Sequence, residues 1–383
     1  MRSLIIGAAL LVAGAVAVLV GVYPAGDALT LADRVWPVLL FVVAITVVAE
    51  LAAAAGLFDL VAAWSTRAAR GSAWMLWLLT VAVATVSTVF LSLDTTAVLL
   101  TPIVVTMARH VRLNPLPFAL TTVMLANCAS MLLPVSNLTN LLAEQKLGGV
   151  GPAGFIALSW APAIVAVLLP VAAIAVIGRR TLVAHYSIPR IEPVQDRKLT
   201  AWAAVVVLAL LPSLVSGIPV WIPACLAALV LVVVFVVLRR AALTPGLVPW
   251  STVVFAGGLF LAMGALEAIG SRAVLSVIAV PGASPAELLQ VAGVGLVGAN
   301  VVNNLPAYLA LEPLAGHPLQ LMALLIGVNV GPLITPWASL ATLLWHSRLR
   351  RLGVEVPWGR YMLIGLVVAP VTVVAATLAL ALV

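Results

Sequence analysis

Apolar runs of about 20 residues, the length of an α-helix that spans a bilayer, recur along the whole chain between short charged segments. The composition agrees with this pattern. Of the 383 residues, 64% are hydrophobic and 8% are charged, whereas about 25% of the residues in an ordinary soluble domain are charged. The sequence therefore predicts an all-α polytopic membrane protein and excludes a soluble enzyme, a nucleic-acid-binding protein and a secreted disulfide scaffold.

Neither the charge nor the cysteines indicate another class of protein. The net charge is +7, but the basic residues form small clusters between apolar segments instead of one stripe, so nucleic acid is not an expected partner. Cys128 and Cys225 lie in separate apolar segments and are too few for a disulfide framework or a zinc site. The motifs G-x-S-x-G, H-E-x-x-H and G-x-x-x-x-G-K-[ST] are missing from the sequence, and we expect no enzymatic activity.

The N-terminal run from Arg2 to Val22 resembles a signal peptide but is longer than the 7–15-residue apolar core of such peptides, so we expect a first span that is retained. With this run, the sequence predicts about 9 to 10 spans and two re-entrant hairpins. The further apolar segments cover residues 35–56, 72–107, 115–147, 153–177, 200–216, 220–238, 250–270, 286–314, 319–345 and 361–383.

Two of these segments carry polar residues near their middle and are predicted to be hairpins. The first, residues 72–107, has basic residues at both ends and Asp94 near its centre. Because basic residues favour the cytoplasmic side, this segment should enter and leave from the cytoplasm. The second, residues 286–314, has Asn303 and Asn304 in its middle and no Lys or Arg at its flanks, so it should enter from outside. With a cytoplasmic N-terminus, sixteen of the nineteen basic residues then lie inside.

An internal repeat follows each predicted hairpin. Residues 127–142 (NCASMLLPVSNLTNLL) align without a gap with residues 329–344 (NVGPLITPWASLATLL), and five of the sixteen residues are identical. Pro134 and Pro336 interrupt both segments, and the charge pattern gives the two segments opposite orientations. Inverted repeats with interrupted helices are typical of secondary transporters.

The predicted organisation consists of two repeats and a linker. The repeats are residues 1–178 (hairpin 72–109, broken helix 115–147) and 200–383 (hairpin 286–316, broken helix 318–347), with a cytoplasmic linker at 179–199.

Polar residues at the hairpin tips and after the two prolines are the candidate site. Non-helical backbone at membrane depth is tolerated only where protein buries it or where it lines a water-filled cavity. The predicted substrate-binding residues are Thr95, Thr96, Ser136, Asn137, Thr139, Asn303, Asn304, Thr335, Ser339 and Thr342. The predicted ion-coupling residues are Asp94 and the aligned pair Asn127 and Asn329.

The acidic residues differ in their expected roles. An ionisable group at membrane depth is costly and usually functional, so we expect Asp94 to take part in coupling or substrate binding, with a structural cap of the hairpin as the alternative. Glu50 and Glu267 could instead snorkel to an interface, and Glu144 should be solvated near the outer surface.

Four stretches resemble the arsenite efflux permeases, the membrane subunits of arsenical pumps. They are residues 94–103 (DTTAVLLTPI), 135–140 (VSNLTN), 303–306 (NNLP) and 331–345 (GPLITPWASLATLLW), in the order found in that family. More broadly, the layout is similar to the ion transporter superfamily, which includes sodium-coupled dicarboxylate and citrate transporters. The resemblance implies proton-coupled export of arsenite and antimonite across the plasma membrane, with Asp94 as the coupling residue. The family typically has an acidic residue at the position of Asn329 and often a Lys at that of Leu333.

Two other functions stay open, a sodium- or proton-coupled transporter of a carboxylate or inorganic oxyanion and a passive channel. The expected partners are a small inorganic solute and the lipid bilayer. Members of the superfamily often form homodimers, and some arsenite permeases work with a soluble ATPase, so both partners stay open. No cofactor is expected besides a coupling proton or sodium ion.

Overall fold

The computed structural model describes residues 2–187, 196–270 and 275–382. Within these ranges the structure is helical and contains no β-strand. Seven of its helices are long and apolar enough to span a membrane, and three shorter apolar helices accompany them. The prediction of an all-α polytopic membrane protein is confirmed.

The helices of the first half are numbered in chain order. They are α1 (Arg2–Leu19), α2 (Ala25–Ala54), α3 (Leu57–Ala68), α4 (Ala73–Leu91), α5 (Thr101–His110), α6 (Leu116–Cys128), α7 (Leu138–Lys146) and α8 (Gly151–Leu182). Between α4 and α5 lie a single helical turn, Leu93–Thr95, and a π-helical turn, Thr96–Leu100.

The second half repeats the order of these elements from the hairpin onward. Its helices are α9 (Arg197–Ser213), α10 (Trp221–Leu238), α11 (Trp250–Ala268), α12 (Pro285–Val302), α13 (Asn304–Leu311), α14 (Pro318–Val330), α15 (Leu340–Arg351) and α16 (Trp358–Leu380). In both halves, therefore, a helix pair is followed by a broken helix of two segments and then by one long helix.

The chain reverses within both predicted hairpins. In the first hairpin, the Thr96 hydroxyl donates a hydrogen bond to Ser87 Oγ (3.0 Å) and accepts one from the Thr88 hydroxyl (2.8 Å), across a break at Ser92. In the second, a Cβ added at Gly298 of α12 would lie 3.2 Å from Cβ of Ala307 in α13. In both hairpins, one residue before the break contacts a residue about nine positions later, after the break. The two arms must therefore run antiparallel.

The two broken helices are interrupted where the prolines predict. Leu133, which precedes Pro134, is extended (φ −122°, ψ 150°), because the proline ring disfavours helical geometry in the residue before it. The helix resumes only at α7, and its N-cap Asn137 is extended as well. In the second half, α14 ends at Val330 and α15 begins after the extended residue Ser339.

Reciprocal contacts show that the repeats are inverted. Each broken helix begins beside the base of its own hairpin and ends on the opposite side of the molecule. The Arg109 guanidinium, at the base of the first hairpin, donates to the carbonyl oxygens of Leu352 (2.5 Å) and Gly353 (3.2 Å), just after the second broken helix. Lys146, at the end of the first broken helix, donates to the Glu312 carbonyl at the base of the second hairpin. The two hairpin bases therefore lie on opposite sides.

Two features differ from the predicted outline. The short helix α3 was not predicted, because it is too short for a span and it mixes apolar with charged residues. The helix α8 continues to Leu182, so the predicted linker at 179–199 begins inside a helix, whose last turn holds Arg179 and Arg180. Residues 188–195 of that linker, and Arg272, lie outside the described residues.

Glycines set the distance between α12 and α14, the first segments of the second hairpin and the second broken helix. A Cβ added at Gly327 would lie 2.3 Å from the Ala292 carbonyl oxygen and 2.9 Å from Cα of Gly295. Small residues let membrane helices approach this closely, and the backbones leave no room for a side chain.

We expect Gly327→Ala to destabilise the protein by about 1–3 kcal/mol, because the new methyl group forces two packed backbones apart. Gly293→Ala, on α12, is the matched control, since its added Cβ meets no atom of the described residues within 4 Å. Thermal unfolding of the purified variants in detergent measures the difference. Equal unfolding temperatures for the two variants would contradict the close approach of α12 and α14.

Candidate functional site

The two hairpin tips and the two broken helices meet around one central cavity of about 90 Å³. Helices α2 and α11 complete its wall. The polar and charged residues that line it are Thr46, Ser92, Asp94, Asn137, Thr252, Asn303, Asn304 and Ser339. The structure thus brings together five of the predicted site residues from both repeats.

The tips of the two hairpins share a rare backbone conformation. Ser92 (φ 97°, ψ 158°) and Asn303 (φ 114°, ψ 156°) both occupy a region that is almost restricted to glycine. Each side chain accepts a hydrogen bond from a backbone N–H of the next turn, Ser92 from Thr95 (3.5 Å) and Asn303 from Leu305 (3.4 Å). Such strain costs about 1–3 kcal/mol and persists mainly at functional sites. Ser92 is a site residue that the sequence pattern did not indicate.

Helix starts surround the cavity. The helices α7, α13 and α15 begin next to the lining residues Asn137, Asn303 and Ser339, respectively. Their N-terminal N–H groups place partial positive charge at the cavity wall. Among the described residues, Asp94 is the single charged residue that lines the cavity, and no Lys or Arg lines it. The cavity therefore offers amides, hydroxyls, helix N-termini and one carboxyl group.

Asp94 has no counterpart in the second hairpin. When the two hairpin sequences are aligned on the breaks at Ser92 and Asn303, Asp94 corresponds to Leu305, so the acid is the main chemical difference between the tips. Among the described residues, no salt bridge or hydrogen bond holds its side chain. An acid in this position can exchange a proton with the cavity without first breaking an ion pair.

Several predicted site residues lie behind the cavity wall, in the first hairpin and in the first loop, which is residues 129–137 between α6 and α7. Thr95 donates to the Leu91 carbonyl oxygen (2.8 Å) and Thr96 bonds across the hairpin, so both hydroxyls stabilise the tip. Ser136 donates to the carbonyl oxygen of Val89 (2.8 Å) and thereby ties the first loop to the first hairpin. These three residues shape the site from behind the lining.

Asn329 lies at the contact between the two repeats. Its Oδ1 accepts hydrogen bonds from Asn137 Nδ2 (2.9 Å) and from the Thr139 hydroxyl (2.8 Å), and its Nδ2 donates to Asn140 Oδ1 (2.7 Å). Asn329 on α14 thus holds the start of α7, which belongs to the other half. Thr139 and Asn329 are both buried and both lie outside the cavity lining.

The remaining predicted residues also lie outside the lining. Asn127 is buried in α6, where its Nδ2 donates to the Val123 carbonyl oxygen (2.9 Å). The Thr342 hydroxyl lies 3.4 Å from the Tyr361 hydroxyl. The Thr335 hydroxyl donates a hydrogen bond to the Asn300 carbonyl oxygen (2.9 Å). A direct role for these side chains in binding stays a prediction.

Asn300 is a polar residue near the site that was missed from the sequence. Its Nδ2 donates to the Gly331 carbonyl oxygen (2.9 Å), and its Oδ1 accepts from the Thr335 N–H (2.9 Å). Its own carbonyl oxygen accepts from the Thr335 hydroxyl and from Trp337 Nε1. An amide within an apolar helix, three residues before the break, was the available signal.

The tip of the second hairpin also donates hydrogen bonds to backbone carbonyl oxygens that follow Thr335. Asn303 Nδ2 donates to the Trp337 carbonyl oxygen (2.8 Å), and the Asn304 N–H donates to the Ala338 carbonyl oxygen (2.9 Å). The second hairpin tip and the second loop, which is residues 331–339 between α14 and α15, are therefore joined by several hydrogen bonds.

A larger vestibule of about 560 Å³ lies between the ends of α2, α7 and α11 and the base of the second hairpin. Arg34 and the buried Glu312 form a salt bridge of 2.5 Å there, and Gln145 Nε2 donates to the Arg34 carbonyl oxygen. Glu267 lines this vestibule, while Glu144 accepts a hydrogen bond from the Gly151 N–H and Glu50 lies half-buried on α2. The charged groups of the vestibule are separate from the central cavity.

Comparison with known proteins agrees with this architecture. The sequence profile of the citrate transporter family matches residues 2–342. The chain belongs to the citrate transporter family. It is a transporter with several membrane-spanning helices, as the composition and the repeats predict.

The family relatives include arsenical pump membrane proteins. The protein of that name from Yersinia enterocolitica is 29% identical, over 96% of this chain and 91% of its own length. The protein from Escherichia coli K12 is also 29% identical, over 92% of this chain and 88% of its own length. The resemblance to arsenite efflux permeases seen in four short stretches is thus confirmed over almost the whole chain.

A solved structure has a similar fold. The YdaH transporter of Alcanivorax borkumensis, described as having an unusual topology, matches with a TM-score of 0.58 and 15% identity. The match covers 100% of this chain and 97% of that transporter. At this identity the likeness concerns the fold alone.

Proposed function

We propose that this citrate transporter family member exports arsenite and antimonite by exchange against protons. The observation that carries this proposal is the lining of the central cavity, in which the described residues provide several amides and hydroxyls, one carboxyl group and no basic side chain. Arsenite and antimonite are neutral hydroxides at physiological pH, so they need hydrogen-bonding groups and no fixed positive charge. The names of the arsenical pump relatives support the same solute.

The cavity size favours a small solute. A volume of about 90 Å³ holds a few water-sized groups. The lining residues Asn137, Asn303 and Asn304 would hydrogen-bond the hydroxyl groups of the solute, while Asp94 takes up and releases the coupling proton. The remaining predicted residues, which lie behind the lining, would hold the tips and loops in place.

The charge pattern supports a plasma-membrane protein with its N-terminus in the cytoplasm, since that orientation places most basic residues inside. In this orientation the vestibule with Arg34 and Lys146 opens outward. The proposed transporter uses no cofactor besides the coupling ion. A homodimer and a soluble ATPase partner are compatible with the proposal and are not required by it.

A second candidate is a sodium- or proton-coupled carboxylate transporter, which the name of the family favours. Asp94 makes a polyanionic solute less favourable, because an ionised Asp94 would add negative charge beside the solute. Three helix N-termini at the cavity offset only part of that charge.

Transport into inside-out vesicles tests the two candidates. We expect vesicles that contain the protein to accumulate arsenite when a proton gradient, acidic inside, is imposed, and not to do so with a sodium gradient alone. Vesicles without the protein are the control. Sodium-driven accumulation of citrate without any arsenite uptake would replace the first candidate by the second. Arsenite that equilibrates without exceeding the outside concentration would indicate a passive channel.

A further inference from the structure

Glu50 lies between the central cavity and the end of α2 that is proposed to face the cytoplasm. It is four residues beyond Thr46, which lines the cavity, and four residues before Ala54, where α2 ends. At 1.5 Å of rise per residue, Glu50 is about 6 Å from each of them along the helix axis. The Arg239 guanidinium donates to the Ala54 carbonyl oxygen (2.9 Å), so this end of α2 belongs to the basic side of the protein.

The accessible side chains in this part of α2 form one row. Residues 44–52 are buried except for Thr46 and Glu50, which are both partly accessible. Residues four apart lie on the same face of a helix, so Glu50 lies on the face that Thr46 presents to the cavity. The accessible face of α2 therefore continues from the cavity to Glu50.

A similar row on α15 leaves the cavity in the same direction. Leu340 lines the cavity, and Leu344 and Arg348 follow at intervals of four residues, all at least partly accessible. Because α15 runs from the cavity toward its basic end, Arg348 lies on the same side of the cavity as Glu50. Among the described residues, Arg348 is also the charged group that acts electrostatically on Glu50. The two rows thus approach each other at Glu50 and Arg348.

The Glu50 carboxyl group is available for proton exchange. Among the described residues, no salt bridge or hydrogen bond holds its side chain, and Arg348 acts on it from beyond salt-bridge distance. An ionisable group at membrane depth is costly and usually functional. A carboxyl group that is partly accessible, unpaired and one helical turn from the cavity lining therefore suggests a role in transport.

We propose that Glu50 is the proton relay between Asp94 and the cytoplasm. When the cavity faces the cytoplasm, protonated Asp94 releases its proton through water to the Glu50 carboxylate. Glu50 becomes a carboxylic acid and then gives the proton to cytoplasmic water, while Asp94 is left as a carboxylate. Each such cycle moves one proton into the cell. The inference rests on the proposed function for the coupling to protons and for their direction of movement.

The test compares Glu50→Gln and Glu50→Asp with the wild type in inside-out vesicles that are acidic inside. We expect Glu50→Gln to slow the initial rate of arsenite accumulation about tenfold or more, because an amide neither takes up nor releases a proton. Glu50→Asp keeps a carboxyl group and should restore most of the rate. Exchange of labelled for unlabelled arsenite should keep its wild-type rate in both variants, because exchange involves no net proton transfer.

Two further variants separate a relay from a structural role. Glu355→Gln is the matched control, because it removes an exposed carboxyl group just after α15, on the same side of the protein, and it should transport like the wild type. The double variant Glu50→Gln with Arg348→Gln should stay as slow as Glu50→Gln. Recovery of the wild-type rate in the double variant would show that Glu50 balances the charge of Arg348 and carries no proton.

The inference is also overturned if Glu50→Gln accumulates arsenite at the wild-type rate, or if Glu50→Asp is as slow as Glu50→Gln. Loss of exchange together with accumulation would overturn it as well, because a relay acts on the proton and leaves solute binding and movement intact.

The two proposals fail in different ways. If a proton gradient drives citrate and not arsenite into wild-type vesicles, the proposed function fails, and the same variants then decide the relay with citrate. If a proton gradient drives neither solute, the relay is rejected together with the proposed function.

Discussion

Replacing Asp94 by Asn should abolish proton-driven accumulation of arsenite and reduce it to the level of vesicles without the protein. The substitution keeps the size of the side chain and its place at the first hairpin tip, but an amide neither releases nor takes up a proton. Within the part of the chain that the structure describes, Asp94 is the single charged group in the cavity lining, so no other lining residue there replaces it. Exchange of labelled for unlabelled arsenite should survive, because exchange at equal concentrations requires binding and movement but no net proton transfer.

The matched control is Asp59→Asn, which removes an acid on the exposed face of α3, away from the cavity. It should accumulate arsenite like the wild type. Filter assays on inside-out vesicles measure both accumulation and exchange. Wild-type accumulation by the Asp94→Asn variant would show that the coupling proton is carried elsewhere, and loss of both accumulation and exchange would assign Asp94 to solute binding or to the tip structure.

The sequence predicted the fold well because the features that determine it are local. Span length, the polar residues at mid-segment and the interruptions at Pro134 and Pro336 are all readable along the chain. Even the inverted orientation followed from where the basic residues lie. The helix α3 was missed because its length and mixed composition match neither a span nor a loop.

The candidate site was predictable only in part, because residue type does not give side-chain direction. Thr96 and Thr335 are polar and lie near the breaks, yet their hydroxyls bond within or between the arms of the protein. Ser92 was missed because its importance lies in its backbone conformation, which sequence does not reveal for a serine. Contacts across the repeats, such as that of Asn329 with Asn140, join residues 189 positions apart.

The two repeats share an architecture but use it differently. The first hairpin carries the acid, and the first loop is held by Asn329 from the other repeat. The second hairpin carries amides, and its tip is held by the second loop of its own repeat through Asn300 and Asn303. An inverted pair of repeats with identical chemistry would present the same site from both sides. The asymmetry instead gives the cavity one carboxyl group and a separate set of neutral hydrogen-bonding groups.

Replacing Asn329 by Asp should destabilise the protein by about 3 kcal/mol or more and abolish transport. The carboxylate would still accept hydrogen bonds from Asn137 and Thr139, but it cannot donate to Asn140 Oδ1, which lies 2.7 Å from the present Nδ2. Two acceptor oxygens would then face each other in a buried contact between the repeats. The amide fits this position because it accepts from Asn137 and Thr139 and donates to the oxygen that Asn140 offers.

Asn114→Asp is the control of identical chemistry. The Asn114 side chain is exposed, and it accepts a hydrogen bond from the Leu116 N–H (3.0 Å) that a carboxylate accepts equally well. We expect the control to unfold and transport like the wild type. Thermal unfolding in detergent, followed by arsenite transport in vesicles, measures both effects. A single Asn329→Asp variant as stable as the wild type would show that the contact between the repeats does not depend on the amide donor.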